Sequence, residues 1–375
     1  MKKSIKIRLI ITIVTALLSI SATISAKSST AFANWYSFNI YPVLQKVFSF
    51  ISGLFPFSIA EIIVIILALT LVGSIIYGIV SIILIIKGKK QIKEKKPFKT
   101  IVLSALSTLS MIISLVAFVF VFNCGINYYR SPFSEYSGLK IEKYSKEQVC
   151  EVLEYIIIET NKLANEIELD ENGICVLPES YLDDTREAMK GLSEDFPVMN
   201  AYYPKAKPVA VLSPLWCYTK IVGIFVPFTM EANFNTCDTP ESIGHNICHE
   251  LSHLTGFMRE DEANFVSYIA CRESDNAYLR FSGYQAAMNH LLNAYYPEVE
   301  YEEYLRVYSI ISPVVVKHNV NSNEYWSKFD TPVAEVSDTI NDTYLKINNQ
   351  TDGTKSYGRM VDLVIADYFQ NIKEN

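Results

Sequence analysis

Histidine is scarce in this chain, and its distribution points to one segment. The 375 residues contain 5 histidines, and three of them fall between His245 and His253. Acidic residues are almost missing from residues 1–125, which hold 2 Asp and Glu against 13 Lys and Arg, whereas residues 126–375 hold 38 against 20. The chain therefore has two parts suited to different surroundings, and the acidic second part argues against nucleic acid or anionic lipid as its partner.

Closely spaced cysteines are also lacking. No two of the 7 cysteines stand in C-x-x-C spacing, which argues against a thiolate zinc cluster or a thioredoxin-like dithiol. An odd number in an exported domain leaves at least one thiol unpaired unless an intermolecular bridge forms. Cys217 and Cys237 flank the predicted strands and could pair. We interpret Cys248, which adjoins His249, as a packing residue.

Long apolar runs are abundant in the first part. Hydrophobic residues make up 50% of the chain and the mean hydropathy is +0.18, which indicates a membrane portion joined to a globular one. Three segments, at about 9–26, 59–86 and 101–122, are long enough to cross a lipid bilayer. The first could be a signal peptide, since small residues follow it, but we favour an uncleaved anchor because two further spans follow.

A basic loop predicts how the chain crosses the membrane. Residues 87–99 contain seven lysines, and a short basic loop between two spans is typical of the cytoplasmic side. The third span then leads outward, so residues 126–375 are predicted to lie outside the cytoplasm in a multi-pass protein. Residues 34–57 are rich in aromatics but interrupted by Asn, Pro and Gly, so we expect them at the headgroup level.

The most informative motif is His249-Glu250-Leu-Ser-His253, an H-E-x-x-H pattern. On a helix, histidines four residues apart project from one face, which suits two imidazoles sharing one zinc ion. Glu250 then lies beside the metal, where it can act as general base. The alternative is a helix whose histidines are merely buried and hydrogen-bonded.

A third ligand is sought just beyond the helix. Gly256 is suited to end it, but position 259, where a metzincin would carry a third histidine, is an arginine that cannot bind zinc. Glu260 is the preferred third ligand, because Asn264 follows on the same helical face and can orient a ligand histidine. Glu262 is the reserve ligand, and His245 is a further reserve or a neighbour that hydrogen-bonds the ligands.

The outer part is predicted to be α+β, with a mostly helical, zincin-like domain and a small antiparallel sheet. Helices are predicted at 146–167, 184–196, 260–273, 282–295, 300–317, 331–348 and 357–372. Strands are predicted at 208–212, 219–226 and 228–234. The sheet precedes the motif helix, and its edge either holds a peptide substrate or is purely structural.

Residues 260–264 resemble the E-x-x-A-D/N signature of gluzincin-type peptidases, in which the first glutamate is the third zinc ligand. With segments 227–233 and 356–363 and the three spans, the chain resembles an uncharacterised family of bacterial membrane-anchored proteins regarded as zinc metallopeptidases. The resemblance implies Zn²⁺ as cofactor, a peptide or protein as substrate and the bacterial cell membrane as location. It also makes Tyr357 and Arg359, near the end of the chain, candidate donors to a developing oxyanion.

The predicted function is hydrolysis of peptide bonds outside the cytoplasmic membrane. Two rival functions are a membrane sensor whose zinc site has no turnover and a structural membrane protein in which the histidines are incidental. Metal content separates the last from the others, and cleavage of peptides separates the first two.

Overall fold

The structure is a computed structural model that describes residues 3–87, 97–350 and 359–373. Most of the chain is helical, as predicted. The first part contains five helices: α1 (Lys3–Ser28), α2 (Thr30–Asn39), α3 (Tyr41–Gly53), α4 (Ile59–Ile86) and α5 (Phe98–Asn123). The basic loop lies mainly in residues 88–96, outside the described residues.

Three of these helices are long and apolar enough to cross a membrane, namely Lys3–Ser28, Ile59–Ile86 and Lys99–Asn123. They contain the three segments predicted from hydropathy. Helices α1 and α5 pack side by side, because Arg8 donates to Thr108 Oγ1 at 2.7 Å near one end and Thr15 donates to Ser114 Oγ at 3.0 Å further along. Helices α1 and α5 therefore run in the same direction. Helix α4, which lies between them in the sequence, runs in the opposite direction.

The start of α4 is bound to the second part of the chain. The Glu231 carboxylate accepts hydrogen bonds from the backbone amides of Ile59 (3.0 Å) and Ala60 (2.9 Å). These amides have no partner within their own helix, and a negative charge at a helix N-terminus is favourable. In return, Glu61 accepts from the amides of Val211 (2.7 Å) and Leu212 (2.8 Å). The N-terminal end of α4 is thus anchored by two carboxylates.

The aromatic segment forms α2 and α3, which at 10 and 13 residues are too short to span. Several of its aromatic rings are exposed, but two tyrosines are buried against the rest of the fold. Tyr36 donates to the carbonyl of Phe122 at 2.6 Å, and Tyr41 donates to the carbonyl of His253 at 3.1 Å. The segment therefore braces the domain that carries the histidine motif.

The sheet has three strands, β1 (Lys207–Val209), β2 (Gly223–Val226) and β3 (Glu231–Asn235), in the order β1-β3-β2. It is mixed, so the predicted antiparallel sheet is wrong in part: β2 pairs antiparallel with β3, but β1 pairs parallel with it. The reason is a short helix, α9 (Ser213–Tyr218), which interrupts the predicted strand run and carries the chain across before β2. Pro214 favours this helix start, because proline fits the first turn.

The remaining helices build the domain around a continuous core. They are α6 (Phe133–Ser137), α7 (Lys146–Leu163), α8 (Tyr181–Asp195), α10 (Pro240–Ser252), α11 (Glu260–Arg272), α12 (Ala277–Tyr295), α13 (Tyr301–Tyr308), α14 (Pro313–Ser327), α15 (Pro332–Ile347) and α16 (Met360–Asp367). Helices α10, α11 and α12 pack on one another, with α7 and α8 against them. The buried side chains of α10 and α11 lie at the centre of this core.

One predicted helix, 300–317, is divided into α13 and α14. Ser312 caps the start of α14 by accepting from the Val315 amide at 3.4 Å, and Pro313 occupies the first helical position. A proline there lacks the amide that a continuous helix would need. The helix must therefore end before it and begin again.

All seven cysteines are free thiols. The pairing considered for Cys217 and Cys237 is thus not formed. Cys248 is fully buried, and its thiol lies 4.0 Å from the carbonyl of Thr185 on α8. It packs in the core on the side of α10 away from the histidine face.

Candidate metal centre

The start of the motif helix α10 is explained by its local sequence. Thr239 has extended backbone angles at the N-cap and Pro240 takes the first helical position. The regular helix ends at Ser252, and His253 opens a single 3₁₀ turn that Gly256 closes with φ +85°. The expectation that both histidines lie on one regular helix is therefore corrected. The left-handed angle of Gly256 turns the chain back toward the histidines.

This turn brings three side chains together. Ligand atoms of His249, His253 and Glu260 all lie within 4.8 Å of one another. His249 Nε2 is 3.1 Å from Glu260 Oε2, and the two imidazole rings are 5.0 Å apart between centroids and nearly perpendicular. Among the residues the structure describes, this is the one group of histidine, cysteine and acidic side chains that meets such a criterion.

The other ring nitrogens are already engaged. His249 Nδ1 lies 2.7 Å from Asn264 Oδ1, and His253 Nδ1 lies 2.7 Å from the carbonyl of Phe257. Both acceptors are oxygens, so each Nδ1 donates its proton, and in the neutral form that binds a metal each Nε2 offers a lone pair. Such bonds fix the tautomer and the orientation that a metal-ligating histidine needs.

The donor set fits a zinc ion. Two neutral imidazole nitrogens and one carboxylate oxygen are ligands of catalytic zinc, which binds each at about 2.0–2.2 Å in tetrahedral geometry. Two such ligand atoms are then about 3.3 Å apart, close to the 3.1 Å between His249 Nε2 and Glu260 Oε2. The other ligand-atom pairs of the group lie within 4.8 Å.

The loop that supplies Glu260 is held by residues that sequence reasoning missed. Arg130 is buried, donates to the carbonyl of Thr255 at 2.8 Å and lies 4.1 Å above the ring of Phe257. Gln350 accepts from the Glu260 amide at 3.2 Å. Both come from parts of the chain distant in sequence, and no local pattern signals either role.

Glu250 lies against strand β2. A Cβ atom on Gly223 would be 2.5 Å from Glu250 Oε1, so only glycine leaves room for this carboxylate. Burial raises the pKa of Glu250 to about 8. The absence of a side chain at position 223 thus lets the base candidate pack beside the backbone of the sheet while it lines the cavity.

Nearby acidic side chains and burial shift the pKa values of the two motif histidines. Burial lowers the pKa of His249, but the hydrogen bond to Glu260 and the charges of Glu250 and Glu260 outweigh it and raise the pKa to about 9. For His253, burial prevails and lowers the pKa to about 4. Two carboxylates therefore create a negative potential at His249 that favours a cation.

The other predicted site residues do not belong to the group formed by His249, His253 and Glu260. Glu262 accepts from the amide of Phe133 at 3.0 Å and is not in the three-residue group. His245 lies one helical turn before His249 and lines the cavity, and its Nε2 has no hydrogen-bond partner among the described residues. Arg359 pairs with Asp261 at 3.3 Å instead. Tyr357 lies outside the described residues.

The three-residue group opens into a cavity of about 1010 Å³. Residues of strand β2 and of helices α12, α14 and α15 line it. Two tyrosines that sequence reasoning did not single out also line it: the hydroxyls of Tyr128 and Tyr344 are 3.0 Å apart. A cavity of this size can hold a segment of a peptide.

Fold and site together define a helical domain joined to three helices of membrane-spanning length, with a histidine–glutamate group able to hold a metal ion. Residues 36–365 match the family described as "Protein of unknown function (DUF3810)", so the chain belongs to that family. No curated protein and no solved structure matches it. Membership agrees with the resemblance to an uncharacterised family, while peptidase activity stays a prediction.

Proposed function

We propose that the chain is a membrane-anchored zinc peptidase that hydrolyses peptide bonds outside the cytoplasmic membrane of a bacterium. One observation carries the proposal: two histidines with oriented rings and Glu260 converge, and Glu250 stands beside them on the wall of the same cavity. A metal-storing or structural site has no need of a buried carboxylate next to its ligands. A hydrolytic site does, because a proton must be taken from water.

Each residue then has a distinct role. His249, His253 and Glu260 would hold the ion, which supplies Lewis acidity and lowers the pKa of water toward about 7. Glu250 accepts a proton from the attacking water and delivers it to the leaving amine. Gly223 leaves room for the Glu250 carboxylate beside the backbone of β2.

The oxyanion donor that we propose differs from the two candidates predicted from the sequence. Arg359 is engaged with Asp261, whereas Tyr344 lines the cavity. Burial raises the pKa of Tyr344, and the charge of the nearby Glu260 carboxylate raises it further. We therefore assign the donor role to the Tyr344 hydroxyl, with Tyr128 supporting it at 3.0 Å.

The placement outside the cytoplasm is part of the same proposal. The N-terminus of α4 and the C-terminus of α5 both contact the domain, through Glu231 and through Asn123, which donates to the carbonyl of Pro227 at 2.7 Å. The loop between these helices then lies at their opposite ends. Its seven lysines favour the cytoplasm, which leaves the domain outside.

The test is Glu250→Gln in the full chain, purified in detergent and loaded with zinc. Glutamine keeps the size of the side chain but cannot accept the proton. We expect hydrolysis of an unfolded-protein substrate to fall by about 10²–10⁴, with zinc content and thermal stability little changed. Equal rates for both proteins would exclude Glu250 as base, and no hydrolysis by the zinc-loaded wild type would favour the sensor function.

A further inference from the structure

Helix α15 carries an apolar surface that the part of the chain described by the structure leaves uncovered. Its sequence has three faces at 100° per residue. One face packs on the domain through Ala334 and Leu345, which are 4% and 0% exposed. A second is polar and holds Glu335, Asp338, Asp342 and Lys346. The third, the apolar stripe, is 40–74% exposed and consists of Val333, Val336, Ile340, Tyr344 and Ile347.

This stripe begins where the third membrane-length helix ends. The Tyr344 ring lies 6.4 Å from that of Phe120, which is in the last turn of α5. Towards its other end, α15 is tied to the domain by Ser337, which donates to the carbonyl of Thr219 at 3.0 Å. The helix thus extends away from the outer end of α5 along the cavity, which Ser337, Ile340 and Tyr344 line.

Two more exposed apolar residues lie at the same level. Phe228, 41% exposed, follows Pro227, whose carbonyl is bound by Asn123 at the end of α5. Val211, 64% exposed, has its amide held by Glu61 at the start of α4. Apolar side chains therefore surround the outer ends of both helices. A soluble surface rarely exposes so many large apolar groups together.

We propose that α15 is an interfacial membrane helix, with Val333, Val336, Ile340 and Ile347 of the apolar stripe buried in the outer leaflet, the Tyr344 hydroxyl turned to the cavity and the polar face turned to water. The occupant is lipid because the stripe is continuous with the surface of α5, which itself meets the acyl chains. A helix with one apolar and one charged face lies in the plane of the membrane with its apolar side about 5–10 Å deep.

The consequence, which rests on the proposed function, concerns the substrate. Ile340 and Tyr344 line the cavity as well as belonging to the stripe, and Cys124, the residue after α5, lines it too. The cavity therefore opens at the bilayer surface. Its substrates are polypeptides tethered to the membrane and cut close to it.

The contact is tested without any activity. A genetically encoded environment-sensitive fluorescent amino acid is placed at position 336 or 340 of the full chain, and, as matched controls, at 335 or 339, each one residue earlier on the polar side. The proteins are reconstituted in phosphatidylcholine vesicles with and without bromine on the acyl chains. We expect quenching and a blue shift at 336 and 340 only. Equal quenching at all four positions, or at none, would overturn the proposal.

The substrate class needs a second comparison. Val336→Ser/Ile347→Ser changes two stripe residues and spares Ile340 and Tyr344. We expect it to slow cleavage of a peptide anchored to vesicles while cleavage of the same peptide without its anchor is unchanged, and equal effects on both would overturn the tethered-substrate inference. If the zinc-loaded wild type cleaves neither peptide, the proposed function fails, and the quenching result still decides where α15 lies.

Discussion

Gly223 on β2 and Glu250 on α10 are in such close contact that a side chain at position 223 would displace the Glu250 carboxylate. An added Cβ would lie 2.5 Å from Oε1, 2.7 Å from Cγ and 2.9 Å from Cδ of Glu250. These distances are well inside van der Waals contact, so the carboxylate must move if a methyl group is added. The strand thereby determines where the base candidate sits.

Gly223→Ala is therefore expected to lower hydrolysis by about 10²-fold, since displacement of a catalytic group by an ångström can cost that much. Zinc content should not change, because the atoms nearest to an added Cβ all belong to Glu250, which is not a ligand. Gly191→Ala is the control: a Cβ there meets nothing within 4 Å, so activity should be unaffected. Loss of zinc in Gly223→Ala would show that the strand supports the ligands instead.

His249→Ala and His253→Ala are each expected to lose the metal, because two protein ligands hold zinc poorly. The measurement is zinc per chain after dialysis against a weak chelator. His290→Ala is the matched control, since His290 lines the same cavity without belonging to the group. One zinc per chain in either motif variant would contradict the assigned site.

Asn264 is expected to tune affinity without binding the metal. Asn264→Leu removes the acceptor for His249 Nδ1, so zinc affinity should fall by about 10–100-fold, the usual cost of losing such a partner. Asn264→Asp keeps an acceptor oxygen and should retain most of the affinity. Competition with a fluorescent chelator measures both, and equal affinities for the two variants would exclude an orienting role.

Asp238 is expected to make stability depend on pH. Burial raises its pKa from 3.8 to about 7, so the folded state binds a proton that the unfolded state releases. Its contribution to stability is complete below pH 3.8 and is lost as the pH rises through about 7. The shift corresponds to about 4 kcal/mol.

Asp238→Asn removes this titration. Its unfolding temperature should therefore fall less than that of the wild type between pH 5 and pH 8. Asn246, which donates to Asp238 at 2.6 Å, can turn its amide to suit the new side chain. Glu241 also lies nearby and retains its own titration in both proteins. Parallel pH profiles for the two proteins would contradict the assignment.

The membrane topology can be tested in intact cells. Gln91→Cys places a thiol among the lysines of the loop, which is predicted to face the cytoplasm. A membrane-impermeant maleimide should not label it from outside, beyond the background of the unsubstituted chain. Labelling without permeabilisation would place the loop outside the cell and the domain in the cytoplasm.

Local patterns determined much of this protein. Three long apolar runs predicted three helices of membrane-spanning length, and the structure contains them. A four-residue spacing of histidines is a property of one helical face, so His249 and His253 could be named from the sequence. Glu260 could also be named, because Gly256 marks a turn before it and Asn264 follows four residues later on the same helical face.

Only the tertiary structure decided what supports these residues. Arg130, Gln350 and Gly223 reach the site through pairings between distant segments, which carry no local signal. The parallel pairing of β1 with β3 depends in the same way on the path of the chain through α9. Helix α15 was predicted from its sequence pattern, but which of its faces is covered depends on the neighbours that the fold places beside it.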